Sequence, residues 1–393
     1  MKKLLLLGMT IGTLMIFSAC SGESGMGKIT SAKEWQSKHP DVYASYLENS
    51  EMLETTYGGS VPIDYLEKYP YLKTLYEGNS FSVEYLRARG HVYALEDVIH
   101  TERTKPAASC LSCKTSGFLA LLDEQGVEAN KLNFDEVDKS GMETISCYDC
   151  HRNEPGVINI TREHLNVALE GIEGEFKNQD LVCAQCHVEY YLDPETKEVI
   201  MPSVNGLDPT SMMEYYDELG YSDWVHPSAG TELLKVQHPE WETYQGSVHN
   251  SMGISCITCH MPEVEGESGD KIKSHKWTSP LKHIEASCLS CHSGDTKESL
   301  TKRVEGLQAS VEDQMNEAAL SLVSLIEALK NAEAEGISEE NIVEARKLHR
   351  AAQWYWDFVF VENSEGFHNN AKSVELLNMS MDLTMQAMEK LNE

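Results

Sequence analysis

The chain has 393 residues, and its 63 Asp and Glu against 32 Lys and Arg give a formal net charge of −31. A negative field of that size excludes a phosphate backbone or an anionic membrane surface as a partner. The length would allow two or three ordinary domains, but only 41% of the residues are hydrophobic.

In chain order, Lys2 and Lys3 form a basic start and residues 4–17 an apolar run too short to span a membrane comfortably. Ser18 and Ala19 then precede Cys20 as small residues at a cleavage site. The pattern predicts an export signal over 1–19 of the bacterial lipoprotein type, with Phe17 where Leu is more usual and Cys20 as the lipidated residue. Ordinary cleavage nearby, with loss of Cys20, is the alternative. Either route exports the chain, to the periplasm or the outer face of the envelope. A lipidated Cys20 would tether it without spanning. Residues 20–29 read as a Gly/Ser-rich tether, and Thr30 to His100 as Tyr-rich and mostly helical in character, broken by Gly58-Gly59, Pro62 and Pro70.

Ten of the 11 cysteines then fall in five Cys-x-x-Cys stretches, leaving only Cys20 outside them. Four are followed at once by His: Cys147, Cys150, His151; Cys183, Cys186, His187; Cys256, Cys259, His260; and Cys288, Cys291, His292. The first, Cys110 and Cys113, is followed by Lys114. One such stretch alone reads as a zinc half-site or a redox dithiol. Five, four carrying an attached His, read as covalent attachment of five c-type haems, with the next residue carried beneath the iron as axial ligand. Much of the core is then porphyrin, so the modest hydrophobicity fits one compact unit over 30–296.

A haem with two imidazole ligands has no free coordination position and can only pass electrons, whereas one held by an amine can keep a face for substrate. Lys114 therefore marks the catalytic haem; the other reading makes Lys114 incidental, with another His beneath that iron. Lysine must lose its proton to ligate, and a ferric ion supplies the drive. Four of the fifteen histidines lie in the motifs, and spacing alone does not choose distal ligands among the other eleven.

After Thr296 the pattern turns helical. Val304, Leu307, Val311, Met315, Ala318, Leu322, Ile326 and Leu329 form one stripe. Gly336 stops that helix and Ser338 caps the next, which carries Trp354, Tyr355, Trp356, Phe358 and Phe360; a last helix is striped by Val374, Leu377, Met381, Met388 and Leu391. These stripes over 297–393 predict helix packing within the same structural unit, and a long seam of this kind also suits a homodimer interface.

One Cys-x-x-Cys-Lys, four Cys-x-x-Cys-His and long C-terminal helices together resemble the pentahaem, ammonia-forming cytochrome c nitrite reductases, across nearly the whole mature chain. The resemblance implies a mainly α fold, a multihaem cytochrome c with a haem-packed core. It implies distal ligands by local sequence. His91, after Gly90, matches the distal ligand of the haem at Cys183/Cys186, His249 that of the haem at Cys288/Cys291, and His275 that of the haem at Cys147/Cys150. His368, in Gly366-Phe367-His368-Asn369, matches that of the haem at Cys256/Cys259. His39, His100, His164, His226, His283 and His349 are left without a role.

In the long interval between Cys186 and Cys256, Val188-Glu189-Tyr190-Tyr191 and Lys235-Val236-Gln237-His238-Pro239 resemble the family's active-site and calcium segments, and Thr101-Glu102-Arg103-Thr104 its substrate arginine. The resemblance implies nitrite held by Arg103, with His238 and Tyr190 as proton donor and stabiliser. It implies calcium on Glu189, Gln237 and the carbonyls of Tyr190 and Lys235, oxygen donors of the kind that ion prefers. Family members without calcium place Arg where Gln237 stands. Only six residues separate Arg103 from Cys110, fewer than in members with a longer loop there. A membrane-anchored quinol-oxidising cytochrome c is the implied electron donor. Two other functions remain open from the sequence: a non-catalytic electron-transfer cytochrome, and a reductase acting mainly on hydroxylamine or sulfite.

Overall fold

The computed structural model describes residues 27–393, so the signal over 1–19 and Cys20 lie outside the described residues. Three long helices, Lys297–Glu335, Glu339–Phe360 and Asn370–Asn392, form an antiparallel bundle at the C-terminal end. Their bounds follow from local chemistry. Thr296 caps the first by accepting the Ser299 N–H, and Gly336 closes it at φ 81°, a left-handed conformation that costs glycine little. Ser338 accepts the Asn341 N–H and opens the second.

The stripes point inward: Val311, Met315, Ala318, Leu322, Ile326 and Leu329 are buried, as are Leu377 and Leu391. The aromatic group of the second helix fills the centre. Trp356 stacks on Phe360 at 4.9 Å, and the indole N–H groups of Trp354 and Trp356 donate to the carbonyls of Pro209 and Met315 at 2.8 and 2.9 Å. Each such fully buried ring is worth about 3–5 kcal/mol against alanine. The same core takes in Leu72, Leu75, Met212, Tyr216, Leu234 and Val236, so the bundle shares its interior with the chain that precedes it.

Residues 30–100 depart from the helical expectation. They hold only short helices, such as Pro40–Leu47, Tyr65–Lys68, Leu72–Leu75 and Ala94–His100, joined by turns. Helices this short are not stable alone; here they are pinned by distant partners, as when Tyr69 and Tyr71 donate to Glu312 and Asn316 at 2.7 and 2.8 Å. Three small antiparallel hairpins were also not anticipated: Tyr191–Leu192 with Val199–Ile200, Trp224–Val225 with Glu232–Leu233, and Glu263–Glu265 with Lys271–Lys273. Strands of two or three residues leave no alternating pattern to read.

Three of the histidines without a family role make structural hydrogen bonds. His164 Nε2 meets the Gln185 carbonyl at 2.8 Å, and His226 Nε2 the Thr74 carbonyl at 2.8 Å. His349 is fully buried between Thr231 Oγ1 and Gln353 Oε1. Burial, helped by nearby His226, drops its pKa from 6.5 to about 3. A histidine depressed in the folded state leaves the unfolded chain binding the extra proton, so stability is lost as pH falls below 6.5. Each pH unit costs up to about 1.4 kcal/mol until the folded state takes the proton itself. His349→Gln is therefore expected to flatten the acid limb of a thermal-unfolding series between pH 6 and 4; an unchanged slope contradicts this.

Candidate multihaem active site

A cavity of about 2080 Å³ runs through the molecule, and all ten motif cysteines line it. The motif turns are short helices, Cys147–His151 and Cys256–His260 among them. Each places its two cysteines three residues apart, on one face. The third helical residue reaches back to steady the entry: Asp149 Oδ2 accepts the Ser146 N–H at 2.8 Å, and Thr258 Oγ1 accepts that of Ser255 at 3.3 Å. Apolar clusters back the motifs, with Leu95, Leu111, Phe118 and Phe134 behind the first and Leu165, Leu181, Ala184 and Trp241 behind the third.

Each of the four motif histidines faces one of the four candidate distal histidines. Ring centroids are 5.8 Å apart for His91 and His187, 6.2 Å for His151 and His275, 6.2 Å for His260 and His368, and 6.3 Å for His249 and His292. Two metal–nitrogen bonds of about 2 Å, with the two ring radii, put imidazoles that share a metal about 6 Å apart. His187 has a second neighbour at that range, His238 at 6.3 Å. Four rings are oriented for ligation by their other nitrogen. The Nδ1 of His151, His260, His275 and His368 is engaged by Val157 O, Thr278 O, Lys273 O and Glu362 Oε1, which leaves Nε2 facing the cavity. Two turns depend on glycine. Gly90 takes φ 111° just before His91, and at Gly366 (φ 84°), two residues before His368, a Cβ would come 2.6 Å from Val311 Cγ2.

Lys114 is half-buried against the same cavity, and its amine makes no hydrogen bond or ion pair among the described residues. The backbone beneath it is fixed by a buried clamp. Arg162, 1% exposed, donates from Nε to Ser112 O at 2.8 Å, and its guanidinium lies 2.6 Å from Asp149 Oδ1. Gln185 accepts the N–H groups of Thr161 and Arg162 and donates to Asp149 O. Ser112, Asp149 and Gln185 are the inner residues of three successive motifs, so the clamp locks those turns together. Removing one member of a buried ion pair strands the other charge, at a cost of about 3–5 kcal/mol. Arg162→Met is expected to lower holoprotein stability by about that much; an unchanged melting temperature contradicts it.

The wall opposite is the segment from Lys235 to Glu240. Glu189, 1% exposed, accepts the Tyr216 hydroxyl at 3.0 Å on Oε1 and the Gln237 N–H at 2.6 Å on Oε2. Burial pushes its carboxyl well above the usual range, and the neighbouring Asp223 and Glu242 add to this. Burial likewise lifts Glu242 to about 8, and its Oε2 has no hydrogen-bond partner. The nearby Lys235 ammonium is spent elsewhere: it meets Asp357 at 2.9 Å, and the same carboxylate accepts the Val236 N–H and the Tyr76 hydroxyl. The Lys372 ammonium lies beside Glu242, donating to its main-chain carbonyl at 2.9 Å, while the two buried carboxyls supply oxygen donors of the kind a divalent ion takes. The Gln237 side chain donates to Lys235 O at 3.0 Å, which brings amide and carbonyl together beside Glu189. Among the described residues no three His, Cys, Asp or Glu side chains gather at ligating distance, so an ion here relies on amide and main-chain oxygens as well.

His238 has its Nδ1 sealed from solvent without a partner, and burial takes its pKa down to about 4, so the ring is neutral at pH 7. Burial holds the Tyr190 phenol protonated, and the neighbouring Glu189 adds to this. Arg103 donates from Nε to Glu84 O at 2.6 Å and covers the Tyr85 ring at 4.8 Å, the ring that Lys235 also approaches at 5.5 Å. Arg103, Lys114, Tyr190, Gln237 and His238 thus line one cavity. Arg162, Asp149, Gln185, Glu240, Glu362 and Asp357 were missed from the sequence. Asp149 and Gln185 were visible as polar residues inside attachment motifs.

The family profile of cytochrome c552 matches residues 31–393. The chain belongs to the cytochrome c552 family. It is 34% identical to the cytochrome c nitrite reductase subunit NrfA of Nitratidesulfovibrio vulgaris, over 89% of this chain and 76% of that protein, and 32% identical to cytochrome c-552 of Bacteroides thetaiotaomicron, over 88% and 74%. A solved cytochrome c nitrite reductase from Desulfovibrio desulfuricans superposes with a TM-score of 0.84 at 33% identity, covering 92% of this chain and 86% of that one; two calcium sites are described in its catalytic subunit. Membership makes this cytochrome c552 chain a carrier of covalently bound haem c with the mainly α fold of that subunit. No helix of the described residues is long and apolar enough to cross a membrane.

Proposed function

We propose that this cytochrome reduces nitrite to ammonium with six electrons and eight protons, at a haem attached through Cys110 and Cys113 and ligated by Lys114. One observation carries the reading. Lys114 presents an amine with no hydrogen-bond or ion-pair partner among the described residues to the cavity that Arg103, Tyr190 and His238 share, while the other four motif ligands each face an imidazole. A haem bound there would supply an iron centre able to take the nitrite nitrogen and pass single electrons to it. Arg103 holds an oxygen of the anion and offsets its charge. The neutral His238 donates its N–H to the other oxygen and takes up another proton after giving one away. Tyr190, kept protonated, donates from its hydroxyl beside the motif cysteines.

Four further haems would be held by Cys147/Cys150 with His151 and His275, by Cys183/Cys186 with His187 and His91, by Cys256/Cys259 with His260 and His368, and by Cys288/Cys291 with His292 and His249, and would supply electron transfer. Glu189, Gln237 and the carbonyls of Tyr190 and Lys235 would hold a calcium ion, which would supply positive charge beside the segment that carries His238. The chain is exported and tethered by a lipid on Cys20, and receives electrons from a membrane-anchored quinol-oxidising cytochrome c.

Electron paramagnetic resonance of the oxidised holoprotein tests the reading: one high-spin ferric signal that nitrite alters, beside four low-spin ones. Five low-spin signals indifferent to nitrite would leave only an electron-transfer role. The long helices are proposed as a dimer seam, supported by Leu320, Val343 and Met385, which stay exposed on them. Native mass spectrometry at micromolar concentration is expected to show a dimer, and monomer alone contradicts it.

A further inference from the structure

The second ring nitrogen of the axial imidazoles meets different chemistry from haem to haem. His151 and His275, across one haem, both engage neutral main-chain carbonyls, Val157 O at 2.8 Å and Lys273 O at 2.9 Å. His260 does the same with Thr278 O at 3.1 Å. His368 instead meets a carboxylate, Glu362 Oε1 at 2.6 Å. Glu362 is 2% exposed, its other bonds are to the Ser364 N–H and hydroxyl, and no lysine or arginine pairs with it among the described residues.

A second carboxylate stands near the axial imidazole of another haem, at ion-pair distance and without a hydrogen bond to the ring. Glu240, 6% exposed, has Oε2 at an ion-pair distance of 3.3 Å from His187 Nδ1, while its Oε1 accepts from the Asn363 side chain. Asn363 follows Glu362 directly, so the turn that ends at His368 carries one carboxylate and anchors the other.

A fixed negative charge behind an axial imidazole makes it a stronger donor and favours the ferric state, because oxidised iron carries one more positive charge beside the same anion. A neutral carbonyl does less. We propose that Glu362 and Glu240 tune electron delivery by holding the haems at Cys256/Cys259 and Cys183/Cys186 at lower reduction potential than the haem at Cys147/Cys150. This rests on the ligand assignment given above. Its consequence lies at the active site: Cys113 Sγ is 3.9 Å from Gln185 O, so the Cys183 attachment abuts that of Lys114, and a strongly reducing haem stands beside the catalytic one.

The test is a potentiometric titration of holoprotein that follows each low-spin ferric signal separately. Glu362→Gln is expected to raise the potential of one low-spin haem selectively, and Glu240→Gln that of a different one. Glu365→Gln, which removes a carboxylate on the same turn that pairs with Arg87 at 3.0 Å, is expected to single out no haem. If Glu362→Gln does not accumulate with its haems, Glu362→Asp, which keeps the charge but draws it back by one methylene, should shift the same haem upward by less. Potentials that stay in place, or that all move equally, overturn the proposal. A wild type without four low-spin signals contradicts the ligand assignment instead, and that is read before any variant is made.

Discussion

Lys114→His is expected to keep its haem and to lose nitrite turnover by about tenfold or more, at least about 1.4 kcal/mol of transition-state stabilisation. Attachment survives because the other four motifs show the same turn accepting His, and because Arg162 continues to hold Ser112 O. What changes is the donor. An amine whose free pKa is about 10.4 is a stronger base than an imidazole at about 6.5, and gives more electron density to the iron once it has lost its proton. Steady-state turnover with a reduced dye, on protein whose haem content matches wild type, checks this. Unchanged turnover would remove the case that lysine is matched to the catalytic haem.

Gln237→Ala is expected to weaken calcium binding and lower nitrite turnover together. The net charge of −31 repels nitrite at long range, and screening over about 8 Å at physiological salt leaves part of that repulsion near the surface. Entry needs a local reversal of sign, which in the proposed function comes from Arg103, the ferric iron and a divalent ion at Glu189. Without the ion, the buried carboxyls of Glu189 and Glu242 stay protonated or repel, and the Gln237 N–H bond is what Glu189 keeps to the His238 segment. Spectra of the four bis-imidazole haems should barely change, since none of their ligands belongs to the calcium site. Elemental analysis showing no calcium in active wild type, or full activity after chelation, contradicts this.

The parts of the site legible in the sequence are those carried by contiguous chemistry. Cys-x-x-Cys followed by Lys or His carries the proposed attachment and axial ligand within five residues, and Gly90-His91 and Gly366-Phe367-His368 announce their turns by a glycine. The helix bounds at Gly336 and Ser338 and the inward aromatic group from Trp354 to Phe360 follow from capping and period. The clamp of Arg162 on Ser112 spans 50 residues and that of Lys235 on Asp357 spans 122. Neither partner hints at the other locally, because a buried long-range hydrogen bond or ion pair has no sequence period. The carboxylates behind His187 and His368 were hidden for a different reason: in a chain with 63 acidic residues, one more glutamate carries no signal until its burial is seen.

The most direct measurement is the product balance of purified holoprotein given nitrite and a reduced viologen dye. Nitrite reductase chemistry at the Lys114 haem predicts one ammonium released per nitrite consumed, with six electrons drawn from the dye and no accumulation of partly reduced nitrogen. Nitrite left unconsumed, or consumed without ammonium while hydroxylamine or sulfite is turned over instead, would contradict it.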